Sequence, residues 1–230
     1  MTYDQLLHNL RNNINFSFSR WGDGEFNCIM QNRPGKANCD GNFYYPGLGT
    51  ALHEIIKSGP EYYMGMQPLA ERLYPEKAAE FKANGSTWIN ADILHNASMN
   101  AGLCGLFEAV TKRQVLYVGA PHLENISIAY RKWFYNIGER NCWERKDEIL
   151  RSLFLSIDEL LFRGFRDGVV VFISAGMAAN YFVDELYKKY RTRHTFIDAG
   201  SVFDPYCGVN SRKYHTQIID REHKRSNPVS

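Results

Sequence analysis

Apolar runs and amphipathic stretches alternate along the second half of the chain. The runs at 114–118, 168–173 and 195–197 are rich in β-branched and aromatic residues, and glycine or aspartate follows each of them closely. The stretches at 147–163 and 177–190 place their apolar residues at helical spacing. Apolar strands that alternate with helices are typical of a parallel sheet covered by helices on both faces. The pattern predicts a doubly wound α/β fold with a mostly parallel sheet.

The first half of the chain carries weaker signals of the same kind. Residues 14–19 alternate between apolar and polar side chains, which predicts a strand that runs into a glycine-bearing turn. Another short strand is predicted at 61–66. Helical segments are predicted at 3–13, 48–56, 69–83 and 124–135, and a loop rich in Gly, Asn and Pro at 32–45.

The composition is that of a globular protein. The 230 residues are 44% hydrophobic and 23% charged, which excludes a disordered chain and allows a sizeable core. We expect a single domain over 1–230, because this length suits one core and no internal repeat or linker interrupts it. Residues from about 216 to 230 are polar and basic, so they are expected to form a flexible tail.

Cysteine usage and hydropathy bear on the compartment. The five cysteines are odd in number and form no CxxC motif, which argues against a zinc ribbon or a disulfide scaffold and favours a reducing environment. No apolar run reaches the roughly 20 residues that span a bilayer, and the first residues do not resemble a signal peptide. We therefore expect a cytoplasmic protein without an integral membrane segment. The net charge of +2 neither indicates nor excludes a polyanionic partner.

Small and polar residues gather where the predicted strands end. Such positions occur at 22–25, 119–122, 174–176 and 198–204. In a doubly wound sheet, ligands bind at the carboxyl ends of the strands, and short glycine turns let them approach the backbone. Neither GxGxxG nor GxxxxGK[ST] is present, so a classical dinucleotide site and a P-loop are both disfavoured.

The segment Asp23-Gly24-Glu25 is the first candidate for chemistry. In an extended segment the two carboxylates would lie on one side, where hard oxygen donors suit Mg²⁺ or Mn²⁺ bound to phosphate. A solvated turn is the alternative, because such a tripeptide also arises by chance. The adjacent Arg20 could pair with phosphate, and Trp21 could stack on a base.

The last strand-end segment supplies candidates for a general base. Asp204 and His215 could each receive a proton from an acceptor hydroxyl, and Arg212 could hold phosphate. The alternatives are that Asp204 starts a turn before its proline and that His215 has no role. His122 is a further substrate-binding candidate, with a capping or solvent-exposed role as its alternative.

Several segments together resemble the GT-D-fold glycosyltransferases, formerly a domain of unknown function. They follow one another along the chain as RWGDGEF at 20–26, WINAD at 88–92, VLYVG at 115–119, NCW at 141–143, FISAGMAA at 172–179, IDAGS at 197–201 and DP…RKYH between 204 and 215. The first resembles the family's R-x-G-D-G-E signature. One departure is Met177, where the family often has proline. The resemblance extends over most of the chain.

This resemblance implies a Rossmann-like transferase that takes a sugar from a nucleotide donor, with Asp23 and Glu25 near a divalent ion, Mn²⁺ or Mg²⁺. It also implies a set of residues lining the donor site: Arg20, Gly22, Gly119, Asn141, Ser174, Gly176 and Asp198. The expected donor is a UDP-sugar, and the expected acceptor is a glycan or a protein-linked glycan.

Other functions remain open on the sequence alone. One is a phage-type glycosyltransferase that acts on a hydroxylated DNA base, a modified-base acceptor. A second is a non-catalytic domain that binds a nucleotide or a sugar phosphate. A third is a sugar-phosphate isomerase in which residues 174–176 cradle the phosphate. The carboxylates Asp23 and Glu25 discriminate among them, because neither the binding domain nor the isomerase needs a metal pair at that position.

Overall fold

A computed structural model describes residues 1–33, 35–100, 102–126, 132–163 and 168–226, with the backbone alone for 222–226. Within these residues, one sheet contains strands β1 (Ser17–Trp21), β2 (Tyr63–Met66), β3 (Thr87–Asn90), β4 (Gln114–Gly119), β5 (Lys132–Asn136), β6 (Val169–Ile173) and β7 (Thr195–Asp198). Every strand pair is parallel, in the order β3-β2-β1-β7-β6-β4-β5. The predicted α/β fold with a parallel sheet is confirmed.

Helices connect the strands and cover both faces of the sheet. The described helices are α1 (Tyr3–Arg11), α2 (Asp23–Met30), α3 (Pro46–Ser58), α4 (Pro68–Leu73), α5 (Pro75–Lys82), α6 (Ile93–Asn100), α7 (Cys104–Val110), α8 (Lys146–Phe162), α9 (Ala179–Tyr190) and α10 (His215–Ser226). Pro68 and Pro75 each occupy the first turn of a helix, where the missing N–H costs nothing. This is the break that the sequence predicts at Pro75.

The sheet divides the interior into two apolar layers. One layer packs α3, α8 and α9 against alternate strand residues such as Val169, Val171 and Ile173. The other packs α1 and α7 against the intervening residues, Val170 and Phe172 among them. Both faces of the central strands are therefore buried, which explains why β4, β6 and β7 are buried throughout, consist mainly of apolar residues and are easy to find in the sequence.

Two segments in the second half of the chain differ from the sequence prediction, and in the first half the strand β3 was not predicted. A helix was expected at 124–135, but Lys132–Asn136 is the edge strand β5; residues 127–131 lie outside the described part of the chain. A flexible tail was expected from about 216, but α10 continues to Ser226. Arg221 fastens this helix by donating to the carbonyls of Ser98 and Met99 at 2.7 and 2.9 Å. Residues 227–230 lie outside the described residues.

None of the helices described in the structure is both long and apolar enough to cross a lipid bilayer.

Candidate functional site

Two adjoining cavities lie at the carboxyl edge of the sheet. The smaller cavity, about 350 Å³, borders the ends of β1, β2, β3 and β7. The larger cavity, about 710 Å³, borders the ends of β4, β6 and β7. They share lining residues from four segments: Asn38, Cys39, Asp40, Gly176, Gly200, Ser201 and Arg212. Because the cavities share these walls, we treat them as one cleft with two compartments.

Arg20 is the central cation of the smaller cavity. Its Nε donates to the carbonyl of Ala91 at 3.2 Å, and its guanidinium lies 4.0 Å from the carboxylate of Asp92. The side chain passes so close to Gly200 that a β-carbon there would overlap the guanidinium. About a quarter of the side chain remains exposed, so the guanidinium is positioned by its neighbours and still open to an anion.

The Asp23-Gly24-Glu25 segment is helical, which corrects the extended geometry assumed from the sequence. Gly22 caps α2, and the Glu25 carboxylate turns back to accept the Gly22 N–H at 2.7 Å. Residues two apart on a helix point about 160° apart, to nearly opposite sides. Asp23 and Glu25 both border the smaller cavity, but they do not form the same-side pair on which the metal prediction depended.

Two carboxyl groups of this cavity are buried deeply enough to favour their protonated forms. Burial is the main reason that the pKa of Glu25 is raised to about 7. The hydrogen bond from the Gly22 N–H lowers this pKa, whereas the negative charge of Asp198 raises it. Burial likewise raises the pKa of Asp198 to about 6, although Arg20 and the backbone N–H groups of Gly200 and Arg20 oppose it. Carboxyl groups with strongly raised pKa values are common at functional sites.

The raised pKa of Glu25 predicts a pH-dependent contribution to stability that Glu25→Gln removes. The usual pKa of Glu25 is 4.5, and in the folded chain it is raised to about 7. The neutral Glu25 side chain therefore makes its full contribution to the free energy of unfolding below about pH 4.5. That contribution is lost as the pH rises through 7. Glutamine keeps an oxygen for the Gly22 N–H but carries no charge. Between pH 4 and pH 8, we expect the free energy of unfolding of the variant to rise by roughly 3 kcal/mol relative to that of the wild type.

Denaturant unfolding of both proteins at several pH values measures that gain. The matched control is Glu54→Gln, because Glu54 lies on the surface of α3 with 64% of its side chain exposed. Its stability relative to the wild type should stay within about 0.5 kcal/mol at every pH. If the free energies of unfolding of Glu25→Gln and the wild type change with pH in parallel, then the Glu25 carboxylate is ionised in the folded protein without a free-energy cost.

A chain of hydrogen bonds lines the larger cavity. Nε2 of His122 lies 2.9 Å from one carboxylate oxygen of Asp204, and the hydroxyl of Ser211 donates to the other oxygen. The same hydroxyl lies 3.4 Å from Nδ1 of His215. Asp204 is 7% exposed, whereas 28% of the His122 side chain is exposed. His122 is therefore the open end of this chain of groups.

Asp204 and His215 do not meet the cleft in the way the sequence suggested. Both carboxylate oxygens of Asp204 are already engaged. His215 is fully buried, borders neither cavity, and has its pKa lowered by burial. Since a general base must reach the proton that it takes, His215 cannot act directly on a ligand in this arrangement. Asp204 borders the larger cavity, but His122 and Ser211 already occupy its two carboxylate oxygens.

The loop between α2 and α3 forms a wall of both cavities. Asn42 accepts the N–H of Asn141 at 2.8 Å, and the side chain of Asn141 accepts the N–H of Phe43 at 2.9 Å. Asp40, on the same loop, lies 3.7 Å from Arg212. Asn141 therefore supports the wall from behind and does not line either of the two cavities.

The remaining predicted residues divide between the cleft and the core. Ser174 borders the larger cavity and Gly176 borders both, with φ of +54° at the start of the α9 segment. Trp21 is fully buried, and its indole N–H donates to Ser19 at 2.9 Å, so the ring cannot stack on a base here. Gly119 packs against Leu123, where a β-carbon would overlap, and lines neither cavity.

Sequence reasoning missed several residues that line the smaller cavity. Gln67 directly follows β2, a strand that the sequence predicts, so the strand-end rule would have found it. Asp92 follows β3 by two residues, and the rule could not find it because the sequence pattern predicts no strand there. His95 and Tyr214 stack edge to face at 4.4 Å, although they come from α6 and from the turn before α10. No local signal in the sequence brings these two rings together.

Oxygen ligands surround the smaller cavity, but most already have partners. Glu25, Asp198 and Asp40 each accept a backbone N–H. Among the residues that the structure describes, no group of three or more His, Cys, Asp or Glu side chains is arranged to hold a metal ion. Within the described residues the predicted Asp23–Glu25 pair is therefore not part of a ready-made cluster of three such ligands, and the divalent ion stays a prediction.

Comparison with solved structures places this fold among known ones. No protein-family model matches the sequence, and no curated protein matches it. One similar structure is described as the "selenomethionine substituted structure of domain of unknown function 1792". It aligns over 90% of this chain and 79% of its own, with 18% identity and a TM-score of 0.63.

A second similar structure is described by the statement that the highly conserved domain of unknown function 1792 "has a distinct glycosyltransferase fold". It aligns over the same shares of the two chains, with 16% identity and a TM-score of 0.59. The comparisons support the resemblance seen in the sequence at the level of the fold. The chain has a fold like that of domain 1792, which is a glycosyltransferase fold.

Proposed function

We propose that this chain is a glycosyltransferase that moves a sugar from a nucleotide-sugar donor, a UDP-sugar, to a carbohydrate hydroxyl. The observation that carries the proposal is the two-compartment cleft at the carboxyl edge of a sheet shared with domain 1792. A donor and an acceptor must lie side by side for transfer, and two cavities with common walls supply that arrangement.

The smaller cavity suits the donor diphosphate. Arg20 and Arg212 both line it, and about a quarter of each side chain is exposed. Guanidinium groups bind phosphate oxygens through paired hydrogen bonds. Arg20 lies 4.0 Å from Asp92, and Arg212 lies 3.7 Å from Asp40. When the donor binds, the two arginines would give up these carboxylates and contact the diphosphate instead.

The larger cavity suits a carbohydrate acceptor. Its lining is rich in hydrogen-bonding side chains: Asn38, Asn42, His122, Glu139, Arg140, Ser174, Ser201 and Ser211. None of the described residues that line it has an aromatic ring other than the imidazole of His122. Enzymes that act on a flipped nucleobase usually stack it against aromatic or apolar side chains. The apolar lining here consists of Ala120, Pro121, Leu123 and Val209 and offers no planar ring for stacking, so the cavity favours a sugar hydroxyl over a DNA base.

A divalent ion remains a prediction. The carboxylates that line the smaller cavity have the right chemistry for Mn²⁺ or Mg²⁺, but the geometry described above gives no preformed site for it. No step of the proposed reaction is assigned to an ion. The comparison of assays with and without Mn²⁺ decides whether the ion is required.

A donor screen tests the proposed function. We expect one UDP-sugar to raise the melting temperature and to release UDP when p-nitrophenyl glycosides are offered as acceptors. At about 100 times Kd the bound donor should stabilise the fold by roughly 2.7 kcal/mol. Binding without release of diphosphate would identify a non-catalytic domain, and no binding of any nucleotide would contradict the proposal.

A substitution of Arg212 tests donor binding in this screen, and a substitution of the neighbouring Lys213 is its control. Arg212→Gln should weaken UDP binding about tenfold or more, because it removes a charged partner of the diphosphate. Lys213→Gln changes the neighbouring residue, which is exposed and lines neither cavity. Its UDP affinity should equal that of the wild type.

A further inference from the structure

We propose that His122 is the general base of the transfer and that Asp204 is its positioning residue. The inference rests on the proposed function and goes beyond it, because the sequence placed the base at Asp204 or His215. It starts from the hydrogen-bonded pair that joins His122 to Asp204 at 2.9 Å across 82 residues of sequence.

The contact fixes which nitrogen of His122 is available. Asp204 is almost covered and only accepts hydrogen bonds as a carboxylate, so Nε2 of His122 must donate to it. Nδ1 then carries the lone pair and, among the described residues, it has no hydrogen-bond partner. The imidazole borders the larger cavity with 28% of the side chain exposed. A neutral imidazole with its lone pair open to a ligand is the usual form of a general base.

The second oxygen of Asp204 makes the pair rigid. Ser211 donates its hydroxyl to that oxygen, and Ser211 and His122 therefore hold the carboxylate from two sides. Asp204 cannot turn to the ligand without breaking both contacts. A buried carboxylate that orients an imidazole in this way also stabilises the cation that forms when the ring takes a proton.

The proposed step balances as a single displacement. The acceptor O–H gives its proton to Nδ1 of His122, and the oxygen electron pair forms the bond to the anomeric carbon of the donor. The bond from that carbon to the phosphate oxygen breaks, and its electron pair leaves with UDP. The imidazolium then releases its proton to water.

His122→Ala, Asp204→Asn and a control variant test the assignment. Each is assayed for UDP affinity by calorimetry and for transfer to the p-nitrophenyl glycoside found with the wild type. We expect His122→Ala to keep its UDP affinity within about twofold and to lose a factor of about 10²–10⁴ in transfer rate. Added imidazole should restore at least tenfold of this loss. The control is His53→Gln, since His53 lies on α3 beside a separate hollow and should behave as the wild type.

Asp204→Asn should also lose transfer, and imidazole should not restore it, because the native ring is still present in the wrong tautomer. ¹⁵N NMR of the imidazole groups reports this directly: His122 should carry its proton on Nε2 in the wild type at pH 7.5. A proton on Nδ1 would overturn the assignment, since that nitrogen could not accept another.

The outcomes separate the base from the proposed function. An active wild type with a His122→Ala variant that keeps most of its transfer rate overturns the base alone. A loss of transfer that is matched by an equal loss of UDP affinity, or that imidazole leaves unchanged, also overturns it. A wild type that turns over no donor overturns the proposed function, and the base falls with it.

Discussion

Gly200→Ala should lose about tenfold to a hundredfold in UDP affinity while the protein stays folded. A β-carbon at residue 200 would overlap the guanidinium of Arg20, which passes directly beside this glycine. The side chain of Arg20 would have to leave its place between Ala91 and Asp92. Losing a charged hydrogen bond to the diphosphate costs about 1.5–3 kcal/mol, which corresponds to that loss of affinity.

A second glycine on the same segment separates this effect from backbone strain. Gly200 and Gly208 both have positive φ, +54° and +75°, so alanine is strained at either position. At Gly208 a β-carbon would meet no atom within 4 Å. Calorimetry with UDP should therefore show normal affinity for Gly208→Ala. Equal losses in the two variants would mean that Arg20 does not bind the donor.

Gly49→Ala should destabilise the fold strongly by forcing two packed helices apart. Gly49 lies in α3, where a β-carbon would overlap the carbonyl oxygen of Cys28 in α2. That oxygen belongs to the backbone, so relief requires the two helices to separate. Overpacking of this kind costs about 3 kcal/mol, which should lower the melting temperature by roughly 6–12 °C.

Gly47→Ala provides the matched control for that measurement. Gly47 lies in the same helix, and the nearest atom to a β-carbon there is Nε1 of Trp143 at 3.7 Å, an ordinary contact. Alanine favours the helix over glycine by up to about 1 kcal/mol, so this variant should melt at or above the wild-type temperature. A Gly49→Ala protein with the same melting temperature as Gly47→Ala would show that α2 and α3 are loosely packed.

The sequence was sufficient to predict where the cleft lies. Parallel strands bring their carboxyl ends to one edge, so Ser174, Gly176 and Asp198 could be placed together from two separate apolar runs. This rule needs only the strand boundaries. It failed at β5, because the only apolar residues of this edge strand are the three aromatic ones at 133–135, none of which is buried, and the buried aliphatic run that marks a central strand is missing.

Local conformation and tertiary pairing were beyond sequence reasoning. Glycines at 22 and 24 suggested a turn, but the burial of Phe26 and Cys28 and the cap from Glu25 to Gly22 favour a helix there. Trp21 is adjacent to the site in sequence and yet faces the core, where it packs edge to face on Trp88. The contact between His122 and Asp204 depends on how two distant loops meet, which no periodicity records.

The position of β7 has a consequence for synthesis of the chain. This strand is the last of the described strands in sequence but lies in the interior of the sheet, between β1 and β6. A nascent chain can pair β1 with β2 and β3, and β4 with β5 and β6, before residue 195 leaves the ribosome. Until then two half-sheets each keep an open edge, and such edges invite pairing with other chains. We therefore expect a translation pause before β7 leaves the ribosome to cause much more aggregation than a pause after it has left.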